Sequence, residues 1–392
     1  MIYWCEKCKT PIFDKGLHSC SCDGKITKIS ESSICNPVFK QEKKLLEKIM
    51  DCNLGDEVIW YLGASKYLID EKIVKVPYRE WYKQKKHLKI AVGLRSDIEV
   101  EQDYSPYMAV VKANEKYLNN IVYEAEQYIV ETLERYKKDN YIPTVSFSGG
   151  KDSSVVSRLV MDALQDNTVI HMFGDTTLEF HETYIYVNEK FRRENPRVPM
   201  IPSETENDFF KMCKVFGPPS QHERWCCTIF KTSNLNKEYE NLPGNSLTFL
   251  GIRHSESVAR AGYDRTQETS KISSQVNAMP IIEWKDYDVW LYILTTKIDF
   301  NYAYRLGWTR VGCWCCPNNN QRAQFLSRIY MPEQSKAWRD FLIDFARKIG
   351  KPDAEEYVDS GAWKARQGGN GLAAAGDVKI RFTNCTTEDY AK

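Results

Sequence analysis

The chain has 392 residues, room for two or three domains and a sizeable core. Its 54 Lys and Arg against 53 Asp and Glu leave a net charge of +1, so bulk charge announces no nucleic-acid partner. No stretch approaches the roughly 18 apolar residues of a membrane span, and the start, Met1 to Lys7, lacks the charged head and apolar run of a signal peptide. No membrane association and a cytoplasmic location are therefore expected.

There are 13 Cys. In a reducing compartment metal ligation or catalysis accounts for them better than disulfides, and an odd number leaves at least one without a partner. In chain order, residues 1–30 read as a Cys-rich, loop-like knuckle of zinc-ribbon type, with little apolar content for a core. Cys5-x-x-Cys8 is followed by Cys20-x-Cys22, two thiolate pairs that can close tetrahedrally on one ion, zinc first and iron second. Such a site has no spare residue for chemistry and reads as structural.

Residues 31–112 read as a small α+β accessory module. It has a helix over Gln41–Asp51 and strand-like pieces at 58–62 and 72–76. Its stretch Arg79 to Arg95 interleaves Lys83, Lys85, Lys86 and Lys89 with Trp81 and Tyr82. Such a pattern can hold phosphates and stack bases, although a charge run is more often a solvated face. Residues 113–140 form one connecting helix, with Tyr117, Ile121, Ala125, Tyr128, Leu133 and Tyr136 at roughly helical spacing.

From Tyr141 the pattern becomes strand, loop, helix, repeated, over a nucleotide-binding domain set at 141–300. Strands are expected at 141–148, 168–173 and 246–252, with helices at 155–164 and 181–194. That alternation implies an α/β fold with a parallel sheet covered by helices on both faces, and ligands at the carboxyl ends of the strands. Residues 301–392 read as a C-terminal helical region and tail, with a Gly- and Ala-rich loop at 361–376.

The first strand runs into Ser148-Gly149-Gly150-Lys151-Asp152-Ser153. Glycines let the backbone turn sharply and approach a ligand, and the helix start offers N–H groups and a positive dipole end to an anion. Lys151 adds charge, and Ser148 and Ser153 add hydroxyl donors. The spacing is not that of a Walker A loop. The string resembles the PP-loop of the ATP pyrophosphatase superfamily, which cleaves ATP between the α and β phosphates, and of the adenylyl-sulfate reductases that share its fold. The resemblance implies a doubly wound, mainly parallel sheet of the adenine nucleotide alpha hydrolase type. Gly174-Asp175-Thr176-Thr177 with Glu182-Thr183 resembles the family's second element, with Thr177 where Gly is usual. Leu250-Gly251-Ile252-Arg253, with Glu256 and Arg260, resembles the later element whose arginine faces the phosphates. By that match Ser148, Gly149, Gly150, Lys151, Asp152, Ser153, Asp175, Gly251 and Arg253 contact the nucleotide. Lys151, Asp152 and Arg253 act in the reaction; for Arg253 and Arg260 the plain alternative is surface salt bridging.

Trp225-Cys226-Cys227 and Gly312-Cys313-Trp314-Cys315-Cys316-Pro317 form a second thiol set. Its types suit a [4Fe–4S] cluster or a second zinc, against the alternative of buried structural Cys. The set resembles the iron–sulfur branch of the phosphoadenosine phosphosulfate (PAPS) reductase-like family and the related DNA phosphorothioation sulfurtransferases. This implies Cys226, Cys227, Cys313 and Cys316 as ligands and leaves Cys315 without a role. The late Glu-Cys-Gly-[Ile/Leu]-His segment of true reductases is missing; Cys385 stands without the Glu, Gly or His. The expectation is ATP-dependent sulfur incorporation, with ATP and Mg²⁺ (or adenylyl sulfate) at the loop and a DNA or tRNA acceptor. Sulfur would come from a donor such as a cysteine desulfurase. A sulfonucleotide reductase and a non-catalytic nucleotide-binding subunit are the alternatives.

Overall fold

A computed structural model describes residues 1–365 except 15, 17–19, 70, 79, 81–102, 269–271 and 273. The basic stretch from Arg79 to Arg95, most of the 361–376 loop and Cys385 lie outside the described residues.

Six strands form the central sheet, in the order Met200–Ser203, Ile170–Gly174, Ile142–Phe147, Ser246–Phe249, Gln275–Ala278 and Thr266–Gln267. The first five are parallel and the last is antiparallel. The strand Ser246–Phe249 is buried on both faces, with Leu247 and Phe249 on one face and, on the other, Ser246 and Thr248, whose hydroxyls hydrogen-bond that of Thr144. Chain order reverses between Ile142–Phe147 and Ser246–Phe249, which makes their carboxyl ends the crevice of a doubly wound sheet. The expected α/β class is therefore found. Among the described residues no helix is long and apolar enough to cross a membrane.

The helix Lys151–Leu164 starts four residues earlier than its apolar pattern, because the loop residues Lys151 to Ser154 already wind into it. The connecting helix is observed as Glu115–Lys137 and packs on Lys151–Leu164. The stretch His181–Glu194 is helical throughout, with a π turn over Tyr186–Phe191.

Two expectations about the smaller parts need correction. Residues 1–30 are not a loop-like knuckle without a core. They form a three-stranded antiparallel sheet, Thr10–Ile12, Ile2–Cys5 and Ile26–Ser30, whose Ile2, Trp4 and Phe13 enter the main hydrophobic core. The expected boundary at 300/301 is not a core boundary either. Val38, Leu45, Ile59, Tyr67 and Tyr78 of the accessory module share one buried cluster with Ala303, Leu306, Trp308, Phe325 and Ile329. The module is a four-stranded sheet and the helix Lys40–Met50, too small to bury its apolar face alone. At its centre Glu42 and Arg322 form a buried ion pair, and the Tyr67 hydroxyl donates to Glu42 Oε1 at 2.8 Å.

Candidate nucleotide and thiol site

Gly149 has φ +66°, and a Cβ there would lie 2.8 Å from Val187 and 3.0 Å from Thr183. Both the turn and the packing therefore demand glycine. Gly150 is the extended residue before the helix Lys151–Leu164. Ser153 Oγ donates to the Gly150 carbonyl at 2.8 Å and accepts from the Ser148 N–H at 3.2 Å, which holds the loop closed. The Tyr304 hydroxyl accepts from the Lys151 N–H at 3.0 Å, and Asn301 Nδ2 donates to the Gly149 carbonyl at 3.3 Å.

Gly251 has a packing role that its sequence reading did not include. A Cβ there would stand 2.7 Å from the Asp152 carbonyl carbon and 2.9 Å from the Ser153 nitrogen. Its hydrogen atom is what lets the loop after Ser246–Phe249 press against the start of the helix. That approach delivers Arg253 to the phosphate loop.

Arg253 Nε donates to Asp152 Oδ1 at 2.6 Å and its Nη2 to Asp286 Oδ1 at 2.8 Å. Lys151 Nζ lies 2.9 Å from Asp152 Oδ2 and 2.9 Å from Asp286 Oδ1. Two cations and two carboxylates thus form a neutral tetrad, and both cations are buried. Burial opposes the charge on Asp152, but Arg253 and Lys151 outweigh it and hold the carboxyl well below the usual range. Burial likewise works against the Lys151 ammonium, and Asp152 and Asp286 overcome it. Neither cation is open in this arrangement, since each is paired with both Asp152 and Asp286. The surface-pair alternative holds for Arg260, which pairs with Glu256.

Sequence reasoning missed Asp286 and Tyr304. Asp286 opens the apolar helix Asp286–Thr296, where an acid reads simply as a favourable first-turn charge. Tyr304 carried no signal at all.

The strand register sets Phe147 beside Phe173, so the phosphate loop and the segment after Ile170–Gly174 leave the sheet together. In that segment Asp175 Oδ1 accepts from the Thr177 N–H at 2.7 Å and from the Tyr184 hydroxyl at 2.8 Å. Thr177 has φ +59°, so it keeps the left-handed turn for which glycine was expected, despite its β-branch. The Thr176 hydroxyl donates to Glu179 at 2.9 Å and lies 3.4 Å from Cys313 Sγ, and the Trp314 N–H donates to the Leu178 carbonyl at 2.9 Å. The nucleotide edge of the sheet and the second thiol set are therefore in direct contact.

Cys226 and Cys227 sit on the short helix Trp225–Cys227, which runs into a π turn over Thr228–Thr232. The Cys226 thiol hydrogen-bonds Cys227 and, against burial and with help from Arg224, pulls the Cys227 thiol down to about 5. Arg224 Nη2 donates to Cys227 Sγ at 3.2 Å. Burial pushes the Cys313 thiol up, and the charges of Glu179, Cys316 and Cys227 add to it, against the Thr176 hydroxyl. All four thiols are free. Among the described residues no three of them bring their sulfurs within 4.8 Å of one another, whereas Cys5, Cys8, Cys20 and Cys22 all do. Cys315 is not part of the second set. That thiol is buried among Leu178, Phe209, Trp225 and Trp338, and burial pushes it far up, so it is a core residue.

With this geometry in hand, the comparison with known proteins is direct: residues 142–319 match the model of the phosphoadenosine phosphosulfate reductase domain. That segment is similar to the phosphoadenosine phosphosulfate reductase domain. The matched residues run from the strand Ile142–Phe147 to just past Cys316 and so take in the loop, the tetrad and the second thiol set. An uncharacterised protein of Methanocaldococcus jannaschii is 32% identical over 284 residues, 70% of this chain and 57% of its own length. The chain thus spans under two thirds of that relative. The adenosine 5'-phosphosulfate reductase of Geobacillus is 25% identical over 184 residues, 46% of this chain and 74% of that enzyme. Among solved structures, the PAPS reductase of Candida auris aligns at TM-score 0.38 and 16% identity, covering 52% of this chain and 96% of that one.

Proposed function

We propose that the chain uses ATP to install sulfur, adenylating an oxygen of a nucleic-acid acceptor. The observation that supports this most is the Thr176–Cys313 contact, which puts a thiol set against the nucleotide edge of the sheet. In the first step an acceptor oxygen attacks the α-phosphorus of ATP and pyrophosphate leaves. A sulfur nucleophile from the donor then displaces AMP, so that C–S or P–S replaces the bond to oxygen. The loop N–H groups, Ser148 and Ser153 bind the departing phosphates, and Lys151 and Arg253 stabilise charge developing there. Asp175, and Asp152 once phosphate draws Lys151 and Arg253 from it, would hold Mg²⁺, which offsets pyrophosphate charge. Cys226, Cys227, Cys313 and Cys316 would hold a [4Fe–4S] cluster, which supplies a thiophilic surface beside the adenylate.

The test is anaerobic incubation of the reconstituted protein with ATP, unmodified tRNA or DNA, and a cysteine desulfurase with labelled cysteine. Pyrophosphate release that depends on nucleic acid, with label entering the nucleic acid, is expected, and Lys151→Ala should abolish both. The Geobacillus relative favours a second reading, reduction of adenylyl sulfate. Sulfite release from adenylyl sulfate without any pyrophosphate release from ATP would establish that reading and overturn the first.

A further inference from the structure

The N-terminal thiol set lies far along the chain from the reaction proposed above, yet the segment that carries it touches the helix of Asp286 through Phe13 and Ser33. All four sulfurs of Cys5, Cys8, Cys20 and Cys22 lie within 4.8 Å of one another. Cys5 and Cys22 are 3.4 Å apart and Cys8 and Cys20 are 3.7 Å apart. Four thiolates at about 2.3 Å from a tetrahedral zinc stand about 3.8 Å from each other, so the set is already near the right size. The Cys8 N–H points at Cys5 Sγ, 3.3 Å away. A Cβ on Gly24 would fall 2.7 Å from Cys5 Sγ and 3.0 Å from Cys22 Sγ, so glycine there lets the second loop close over the sulfurs. Ile2, Trp4 and Phe13 join the main core, while the knuckle's own cluster buries only Cys5, Ile12 and Cys20, so the end that carries the thiols has little apolar packing of its own.

We propose that this knuckle binds one zinc ion and that the ion supports Asp286 of the nucleotide site. Phe13 stacks on Tyr287, with ring centroids 4.3 Å apart and planes 9° apart. Asn114 ties the knuckle down, accepting from the Phe13 N–H at 2.8 Å and donating to the Pro11 carbonyl at 2.9 Å. The segment leaving the knuckle ends at Ser33, whose carbonyl accepts from the Asp286 N–H at 3.0 Å. The first turn of Asp286–Thr296 is thus seated on the knuckle, and Asp286 in turn holds Lys151 and Arg253. Loss of the ion frees the thiolates to repel one another, loosens the small sheet and withdraws that seat. The zinc site is independent of the reaction proposed above; its effect on anion binding rests on the nucleotide-site reading.

The test uses the full chain. Native mass spectrometry should find one zinc per chain, absent from Cys8→Ser/Cys22→Ser, with the iron content of the second set unchanged. After removal of zinc by a chelator, amide exchange over residues 284–290 should speed up at least tenfold while the strand Ile142–Phe147 stays protected, and the Kd for inorganic pyrophosphate should fall at least fivefold as Asp286 releases Lys151 and Arg253. A full chain that neither carries nor takes up zinc overturns the site. Unchanged exchange at 284–290 after zinc removal overturns the coupling. Exchange that responds while neither form binds pyrophosphate leaves the zinc support standing and refutes the nucleotide reading instead.

Discussion

Four residues, Lys151, Asp152, Arg253 and Asp286, decide the electrostatics of the site. Their charges cancel, so the attraction for phosphate in this state comes from the loop N–H groups and hydroxyls. Asp286→Asn breaks the balance. It leaves two buried cations facing one carboxylate, and breaking a buried pair typically costs about 3–5 kcal/mol. The thermal midpoint should fall, while affinity for inorganic pyrophosphate should increase by roughly tenfold as net positive charge appears. Calorimetric titration and thermal unfolding of the same sample read the two opposite effects.

Two further buried groups set the pH dependence of stability, with opposite signs. Burial lowers His171 from 6.5 to about 4, against its bond to the Val169 carbonyl, and its ring also takes the Ser157 hydroxyl at 2.7 Å. Between those values the unfolded chain holds a proton that the folded chain does not, so stability is lost as pH falls through that window. Burial raises Asp288 from 3.8 to about 6, although the Lys285 N–H and the Tyr117 hydroxyl oppose it. There the folded chain holds the extra proton, and stability declines as pH rises. Each is worth about 3 kcal/mol at 1.36 kcal/mol per pKa unit, so the wild type should be nearly flat between pH 4 and 6. In Asp288→Asn the histidine acts unopposed, and urea unfolding should show stability climbing by about 3 kcal/mol from pH 4 to 6.5.

At the scale of elements, the site depends on how closely the loop after Ser246–Phe249 approaches the helix Lys151–Leu164. Gly251→Ala sets a methyl group against the Asp152 carbonyl, which only backbone movement can relieve. A cost of about 2 kcal/mol is expected, together with weakened nucleotide binding as Arg253 is displaced. Gly262→Ala, where a Cβ meets nothing within 4 Å, is the matched control and should leave binding unchanged. The π turns at Tyr186–Phe191 and Thr228–Thr232 occur in the helices that border the phosphate loop and the second thiol set. Register shifts of this kind are frequent at functional sites.

At the scale of the molecule, the accessory module and the helix Gln321–Tyr330 are one packed unit. The Glu42–Arg322 pair lies at its centre, with Tyr67 and Tyr78 hydroxyls 2.7 Å apart beside it. Glu42→Gln leaves the Arg322 guanidinium buried without its counter-charge and should cost about 3 kcal/mol or more, whereas Glu42→Leu combined with Arg322→Met should cost less. A double-mutant cycle in urea measures the difference. Because Gln321–Tyr330 begins shortly after Cys316, the single variant should also lower the iron retained by the second thiol set.

Local chemistry made much of this protein legible in the sequence. The phosphate loop was readable because a sharp turn and a helix start need glycines and small donors at fixed spacing. The alternation after Tyr141 was readable because covered parallel strands and amphipathic helices have different periods. The N-terminal thiol set was readable because cysteines at short spacings have few other reasons to cluster. Tertiary structure alone decided how these pieces are used. Asp286 neutralises Lys151 from 135 residues further along the chain, Gly251 serves packing, Cys315 faces a core, and the accessory module shares its core with residues after 300. Each of these depends on contacts between segments far apart in the chain, and no local period or spacing encodes which distant surface a side chain will meet.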